Sequence, residues 1–146
     1  MLTDLEARRL LDALKQLVST QPIVFPSLQS YITLEATSDR ANEKFQLDVQ
    51  RKTLNVKKCT YQTRYNKLTN LLRIDIEGPA HSNPDGTEIP CPHIHIYKEG
   101  YDDKWAYPLS SKMMTDPNDL IRILIDFLEY NHITNVPNVI SQIEVN

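Results

Sequence analysis

The chain has 146 residues and a net charge of -3, with 40% hydrophobic and 24% charged residues. This composition is typical of a globular protein, and the length predicts a single domain, residues 1–146, that buries its own core. The net negative charge argues against binding to duplex DNA without sequence preference, because proteins of that class are basic overall and neutralise many phosphates with lysine and arginine.

No apolar run approaches the roughly 18 residues that a membrane-spanning helix needs, and the N-terminus lacks the basic-then-apolar layout of a signal peptide. We therefore predict a cytoplasmic protein that does not bind a membrane. Its two cysteines, Cys59 and Cys91, are too few for a disulfide framework and are expected as reduced thiols.

The N-terminal segment has the spacing of a capping box, with Thr3 before the first turn and Glu6 three residues later. Apolar residues then recur at helical intervals up to Val18, which predicts a helix that ends at Ser19. Near the C-terminus, Asp116 and Pro117 are typical of a helix start, and an apolar stripe predicts a second helix ending near Asn131.

Between these helices the hydrophobic period changes to two, as in a half-solvated sheet: Phe45, Leu47 and Val49 fall on one face of a strand. Strands are predicted near 30–37, 43–51, 54–64, 68–77, 91–98 and 104–109. Their short connections indicate antiparallel neighbours. The predicted fold is α+β, a mostly antiparallel twisted sheet of five to six strands packed by an N-terminal and a C-terminal helix.

The densest group of chemically active residues lies on two of these strands. Alternation places His93, His95 and Tyr97 on one face of the later strand. It places Arg73 and Asp75 together on one face of the earlier strand. If the two strands pair, these polar faces merge into one surface.

The loop between those strands carries His81, so that three of the four histidines fall within fifteen residues. One interpretation is a sheet surface of hydrogen-bonded polar residues without catalysis. Another is metal-free acid–base catalysis of phosphodiester cleavage, in which His81, His93 and His95 with Tyr97 move protons and Arg73 or Arg64 stabilises negative charge. That interpretation requires no cofactor.

A metal site is the third interpretation. The His-x-His pattern of His93 and His95 can place two imidazoles on one ion, with His81 or Asp75 as a further ligand and zinc as the first choice. The pattern is short and common, and neither HExxH nor paired CxxC accompanies it.

The segment from 57 to 65 interleaves basic and aromatic residues. Lys57, Lys58 and Arg64 suit contact with RNA phosphates, and Tyr61 suits base stacking. The alternative is an ordinary strand in which Tyr61 packs and the basic residues are solvated.

The stretches KCTYQTRY, LLRIDIEGPAHSNPDGTEI and PHIHIYKEGYDDKWAYPL resemble an uncharacterised family of small proteins from Gram-positive bacteria and their phages. A second resemblance, to TumE-like toxins of toxin–antitoxin pairs, involves the positions Arg73, Asp75, His81, His93 and His95. It implies nucleic-acid cleavage, although this chain has one loop histidine where those toxins tend to show a pair.

Together these features favour a phage- or toxin-related, metal-independent endoribonuclease with RNA as substrate and a host or antitoxin protein as possible partner. One alternative is a non-catalytic phage-encoded protein that inhibits or regulates a host defence or polymerase protein. The second alternative is a metal-dependent hydrolase with a His-x-His site. The sequence does not specify an oligomeric state.

Overall fold

A computed structural model describes residues 1–39 and 42–141. The helices are α1 (Asp4–Asp12), α2 (Leu120–Tyr130) and a short 3₁₀ helix, Leu109–Ser111. The strands are β1 (Lys15–Leu17), β2 (Ile23–Val24), β3 (Ser30–Ser38), β4 (Lys44–Arg51), β5 (Thr60–Tyr65), β6 (Thr69–Asp75), β7 (His81–Ser82), β8 (Glu88–Ile89), β9 (His93–Ile96), β10 (Ala106–Pro108) and β11 (Val139–Ile140). Among the described residues, no helix is long and apolar enough to cross a membrane.

One large antiparallel sheet organises these elements. Its seven strands follow the order β1-β3-β4-β5-β6-β9-β10. Two small pairs lie outside it, the parallel pair β2-β11 and the antiparallel hairpin β7-β8. The predicted combination of a large antiparallel sheet with two helices is confirmed, whereas the strand number is larger than the five to six predicted.

The two faces of the sheet differ in chemistry. Phe45, Leu47 and Val49 of β4 are fully buried in a core that also contains the apolar residues of α1 and α2. The opposite face, called here the polar face, carries Gln46, Asp48, Arg64, Arg73 and His95, which cross-strand pairing places side by side. The prediction of one apolar and one polar face is confirmed, although Gln46 and Asp48 are themselves buried.

Helix α1 is shorter than predicted. The capping box at Thr3 and Glu6 is present, but the helix ends at Asp12 and the backbone of Ala13 is extended. The residues from Lys15 to Leu17 form the edge strand β1 instead, with Lys15 and Leu17 buried. Apolar residues spaced at both helical and strand intervals made the sequence pattern ambiguous here.

Lys15 connects the C-terminal ends of α1 and α2. Its Nζ donates hydrogen bonds to the carbonyl oxygens of Leu11, Ala13 and Asn131, at 2.9, 3.0 and 2.8 Å. The side chain is fully buried, and burial lowers the pKa of its amine to about 8. One buried ammonium thus serves carbonyls at the C-terminal ends of both helices, where the last carbonyls have no partner within the helix itself.

Asparagine side chains hold the two outer strands of the large sheet. At β1, the amide of Asn135 accepts from the backbone N–H of Leu17 and donates to its carbonyl oxygen. At β10, the amide of Asn83 does the same with Ala106, at 2.8 and 3.0 Å. Asn83 follows β7 directly, so this second pair of bonds also attaches the β7-β8 hairpin to the sheet.

Two predicted boundaries also shift. The strand predicted from 54 begins at Thr60, and α2 begins at Leu120 rather than at Pro117. Asp119, not Asp116, is the N-cap of α2, since its carboxylate accepts from the backbone N–H of Arg122. The helix ends before Asn131, as predicted.

We expect Asp119→Ala to lower the free energy of unfolding by about 1 kcal/mol, because it removes the capping acceptor. Asp119→Ser should retain most of the stability, since a serine hydroxyl can accept the same bond. Urea unfolding followed by circular dichroism measures both variants. Equal losses in the two variants would show that the cap contributes little.

Candidate functional site

The polar residues predicted on two separate strands meet because β6 and β9 are neighbours. Arg73 lies opposite His95, and Asp75 lies opposite His93. The intervening Ile74 and Ile94 pair on the core side and are fully buried. With His81, these four polar residues form the histidine cluster: Arg73, Asp75, His81, His93 and His95.

Asp75 is the centre of the histidine cluster. Its Oδ2 lies 3.1 Å from His93 Nε2, 3.3 Å from His95 Nε2 and 3.1 Å from Arg73 Nε. Its Oδ1 accepts a hydrogen bond from the hydroxyl of Thr60. Burial alone would raise the pKa of this carboxyl, but hydrogen bonds from the two histidines and the Arg73 charge outweigh burial and hold the pKa far below its ordinary value.

The second nitrogen of each buried histidine faces a backbone carbonyl. His93 Nδ1 lies 3.1 Å from the oxygen of Ile89, and His95 Nδ1 lies 2.8 Å from the oxygen of Asp103. A carbonyl only accepts, so the hydrogen-bond network assigns a proton to each Nδ1. Both Nε2 atoms therefore point at the Asp75 carboxylate.

His81 reaches the histidine cluster on the β7-β8 hairpin. Its ring centroid lies 4.5 Å from that of His95 and 6.1 Å from that of His93. His81 Nε2 donates to the carbonyl oxygen of Lys104 at 2.7 Å, and the Asn83 bonds to Ala106 hold the hairpin in place. The structure thus brings all three histidines together.

The members of the cluster, which lie on the polar face of the sheet, differ in their exposure to solvent. The side chains of His93 and His95 are 3% and 1% exposed, whereas those of Asp75 and Arg73 are 20% and 29% exposed. His81 is half-buried. A molecule approaching this face would therefore meet Arg73, Asp75 and His81 before the other two histidines.

Tyr97 does not share the histidine face, which corrects the prediction. Strand β9 ends at Ile96, and the Tyr97 N–H bonds to Leu71, where an irregularity interrupts the pairing of β5 with β6. The ring is buried in the core and its hydroxyl donates to the carbonyl oxygen of Leu2. Alternation therefore fails at the strand end.

The predicted RNA-contact segment is divided between core and surface. Tyr61 is fully buried, packs against Phe127 and donates its hydroxyl hydrogen to Leu120, so its ring cannot stack on a base. Arg64 lies on the polar face, where Asp48 holds it through two hydrogen bonds. Lys57 is exposed and Lys58 is half-buried in the turn before β5.

Cys91 is a neighbour of the histidine cluster that the sequence did not indicate as part of the site. Its Sγ lies 3.6 Å from His93 Nδ1. Burial and the nearby Asp75 charge raise the pKa of this thiol, so it is not activated as a nucleophile.

Three ligand atoms of the cluster are close enough for one metal ion. Asp75, His93 and His95 each offer one donor atom, and these atoms lie within 4.8 Å of one another. Two imidazoles and a carboxylate suit zinc and other divalent transition metals.

The profile of a protein family matches almost the whole chain, residues 2–133, and its description reads "Family of unknown function (DUF6978)". The chain belongs to this family. The matched residues include both α-helices and the complete histidine cluster. No curated protein and no solved structure matches the chain. The prediction of an uncharacterised small-protein family is confirmed at this level.

Sequence reasoning missed several groups that organise the site. Asp103 bonds to Arg73 through its carboxylate and to His95 through its carbonyl. In the sequence, the acidic pair Asp102-Asp103 follows Gly100 and indicates only a turn. Asn83 stands directly before a proline, a pair that is typical of a turn. The sequence signals for these two residues were the acidic pair Asp102-Asp103 and the position of Asn83 two residues after His81. Neither signal indicates a partner, because the side-chain partners of Asp103 and Asn83 are distant in sequence.

Proposed function

We propose that this protein is an endoribonuclease whose active centre is the histidine cluster. The observation that carries the proposal is the convergence of three imidazoles, a carboxylate and a guanidinium on one partly accessible side of the sheet. Imidazoles transfer protons near neutral pH, and a guanidinium stabilises negative charge on phosphate.

Cleavage of RNA by its own 2′-hydroxyl needs no protein nucleophile. The 2′-oxygen loses a proton and bonds to phosphorus, the bond from phosphorus to the 5′-oxygen breaks, and the departing oxygen takes up a proton. A cyclic 2′,3′-phosphate remains on one product. The protein must supply proton transfer and stabilise the charged phosphorane.

Burial divides these tasks among the residues of the cluster. In this proposal Arg73, whose side chain is more exposed than those of His93 and His95, contacts the scissile phosphate. His81 transfers protons, since its Nε2 is held by Lys104 and its Nδ1 has no hydrogen-bond partner among residues 1–39 and 42–141. His93 and His95, which the sequence suggested for proton transfer, are too buried to meet RNA directly and instead position Asp75 and Arg73.

The wild-type protein should cut RNA into fragments that end in a 2′,3′-cyclic phosphate. His81→Ala and Arg73→Gln should each lower the cleavage rate by about 100-fold or more. His132→Ala is the matched control, because His132 lies after α2 and contacts Asp12 rather than the cluster. Gel electrophoresis and end-group analysis of total RNA measure the outcome. Intact RNA, under conditions where a small known ribonuclease cuts, would overturn the proposal.

The resemblances add a biological setting to this proposal. In it, the protein acts in the cytoplasm as a phage- or prophage-encoded toxin, and an antitoxin protein neutralises it. Expression of the wild type should then arrest bacterial growth, and His81→Ala should relieve the arrest. Arrest that persists in His81→Ala, together with capture of one stoichiometric host protein, would instead indicate a non-catalytic inhibitor of that host protein.

A further inference from the structure

We infer that Asp75, His93 and His95 bind a divalent transition-metal ion, with zinc as the first choice. The inference deepens the proposed function and rests on it for the chemical use of the ion. Metal binding itself is measured without RNA. The sequence left such a site as its second alternative, and the structure adds three observations that favour it.

The first observation concerns His93. Both of its nitrogens face oxygen atoms, Nδ1 the carbonyl of Ile89 and Nε2 the carboxylate of Asp75. With a proton on Nδ1, this geometry calls for a positive charge between Nε2 and the Asp75 oxygen: either a second proton on the ring, when no metal is bound, or a metal ion. A metal ion between these two atoms forms a favourable bond with each of them.

The second observation concerns the atoms behind the ligands. Metal-binding histidines usually donate their other N–H to a carboxylate or backbone carbonyl, which fixes the ring and its tautomer. His93 and His95 both have this arrangement, through Ile89 and Asp103. The two rings are therefore held with Nε2 directed at the same carboxylate oxygen before any ion arrives.

The third observation is spacing. The Nε2 atoms of His93 and His95 lie 3.1 and 3.3 Å from Asp75 Oδ2. Zinc ligands at about 2.1 Å in tetrahedral geometry are separated by about 3.4 Å, so Asp75 Oδ2 already lies near that separation from both imidazole nitrogens. An ion with three protein ligands keeps one position for water or a substrate oxygen, which is the composition of catalytic zinc sites.

Arg73 competes for the same atoms. Its Nη2 lies 2.9 Å from His95 Nε2, and its Nε lies 3.1 Å from Asp75 Oδ2. The guanidinium and the ion cannot both use these positions, so binding requires Arg73 to move. Arg73 is partly exposed and also bonds to Asp103, so it can remain near the cluster and become free to bind a phosphate.

The test uses the full chain after chelator treatment and desalting. Calorimetric titration with Zn²⁺ should give one site per chain, and Co²⁺ should give the visible absorption of a four-coordinate ion. His93→Ala and His95→Ala should weaken binding by about 100-fold or more, whereas His132→Ala and Cys91→Ala should retain it. Arg73→Gln should bind the metal more tightly than the wild type, because it removes the competing cation.

If the alanine variants do not fold, the metal affinity of Arg73→Gln tests the site instead. An affinity no tighter than that of the wild type would contradict the inference. Absence of stoichiometric binding to the wild type, or unchanged affinity in folded His93→Ala, would overturn the metal site. Metal binding without RNA cleavage would overturn the ribonuclease and leave the site. Full cleavage by chelator-treated protein that binds no metal would overturn the site and leave the ribonuclease.

Discussion

Lys15→Ala should lower the free energy of unfolding at pH 7 by about 4 kcal/mol, a large fraction of the stability of a small domain. The substitution leaves the carbonyls of Leu11, Ala13 and Asn131 without their shared donor. It also opens a cavity beside Phe45, whose ring lies 4.9 Å from the ammonium. Lys15→Met separates the two effects, because methionine fills most of the volume but donates no hydrogen bond.

The same lysine should make stability depend on alkaline pH. Its pKa is about 8 in the folded chain against 10.5 as the reference value, so between these pH values the unfolded chain binds more protons. Stability contributed by this group therefore rises with pH across that window, by up to about 3 kcal/mol.

Cys59 has the opposite effect on the free energy of unfolding. Burial raises the pKa of its thiol from 9.0 to about 11, so the stability contributed by this group falls as the pH rises above 9.0. The difference between wild type and Lys15→Met isolates the lysine. Urea unfolding at several pH values from 7 to 10 measures it. Parallel curves for the two proteins would show that Lys15 titrates like an exposed lysine.

Asp75→Ala should destabilise the chelator-treated protein by about 3 kcal/mol, because it leaves the buried His93 and the Arg73 cation without their common acceptor. Asp103→Ala is the matched control. The Asp103 carboxylate also bonds to Arg73, at 3.3 Å, but it contacts neither buried histidine, so its loss should be about 1 kcal/mol.

A double-mutant cycle of Asp75→Ala with His93→Ala tests the coupling directly. If the carboxylate stabilises His93, the double variant should lose less stability than the sum of the single variants. Additive losses, or equal losses for Asp75→Ala and Asp103→Ala, would contradict a central role for Asp75. Thermal and urea unfolding provide the comparison.

Sequence periodicity predicted the parts of the fold that depend on local pattern. Alternation identified the core side and the polar side correctly in β4 and in the part of β6 after Leu71, because these stretches pair without irregularity. It failed for Tyr97, which lies one residue beyond β9, beside the irregularity at Leu71. It also failed after Asp12, where the chain leaves the helix and Lys15 bonds to the carbonyl oxygen of Asn131, a residue distant in sequence.

The candidate site was predictable in part for the same reason. The meeting of Arg73 and Asp75 with His93 and His95 requires only that two neighbouring strands pair. The position of His81 depends on the β7-β8 hairpin, which attaches to β10 through Asn83. Hydrophobic periodicity in the sequence does not indicate this contact.

The asparagine contacts at the outer strands have a consequence for self-association. A sheet edge with free N–H and C=O groups can recruit a strand from another chain, and such pairing leads to aggregation or fibres. At β10, Asn83 occupies both backbone groups of Ala106, Pro108 has no N–H, and the Pro108 carbonyl accepts from Ser111. At β1, Asn135 occupies both groups of Leu17. One side-chain amide at each edge of the sheet thus takes the place of a neighbouring strand and blocks extension of the sheet by other molecules.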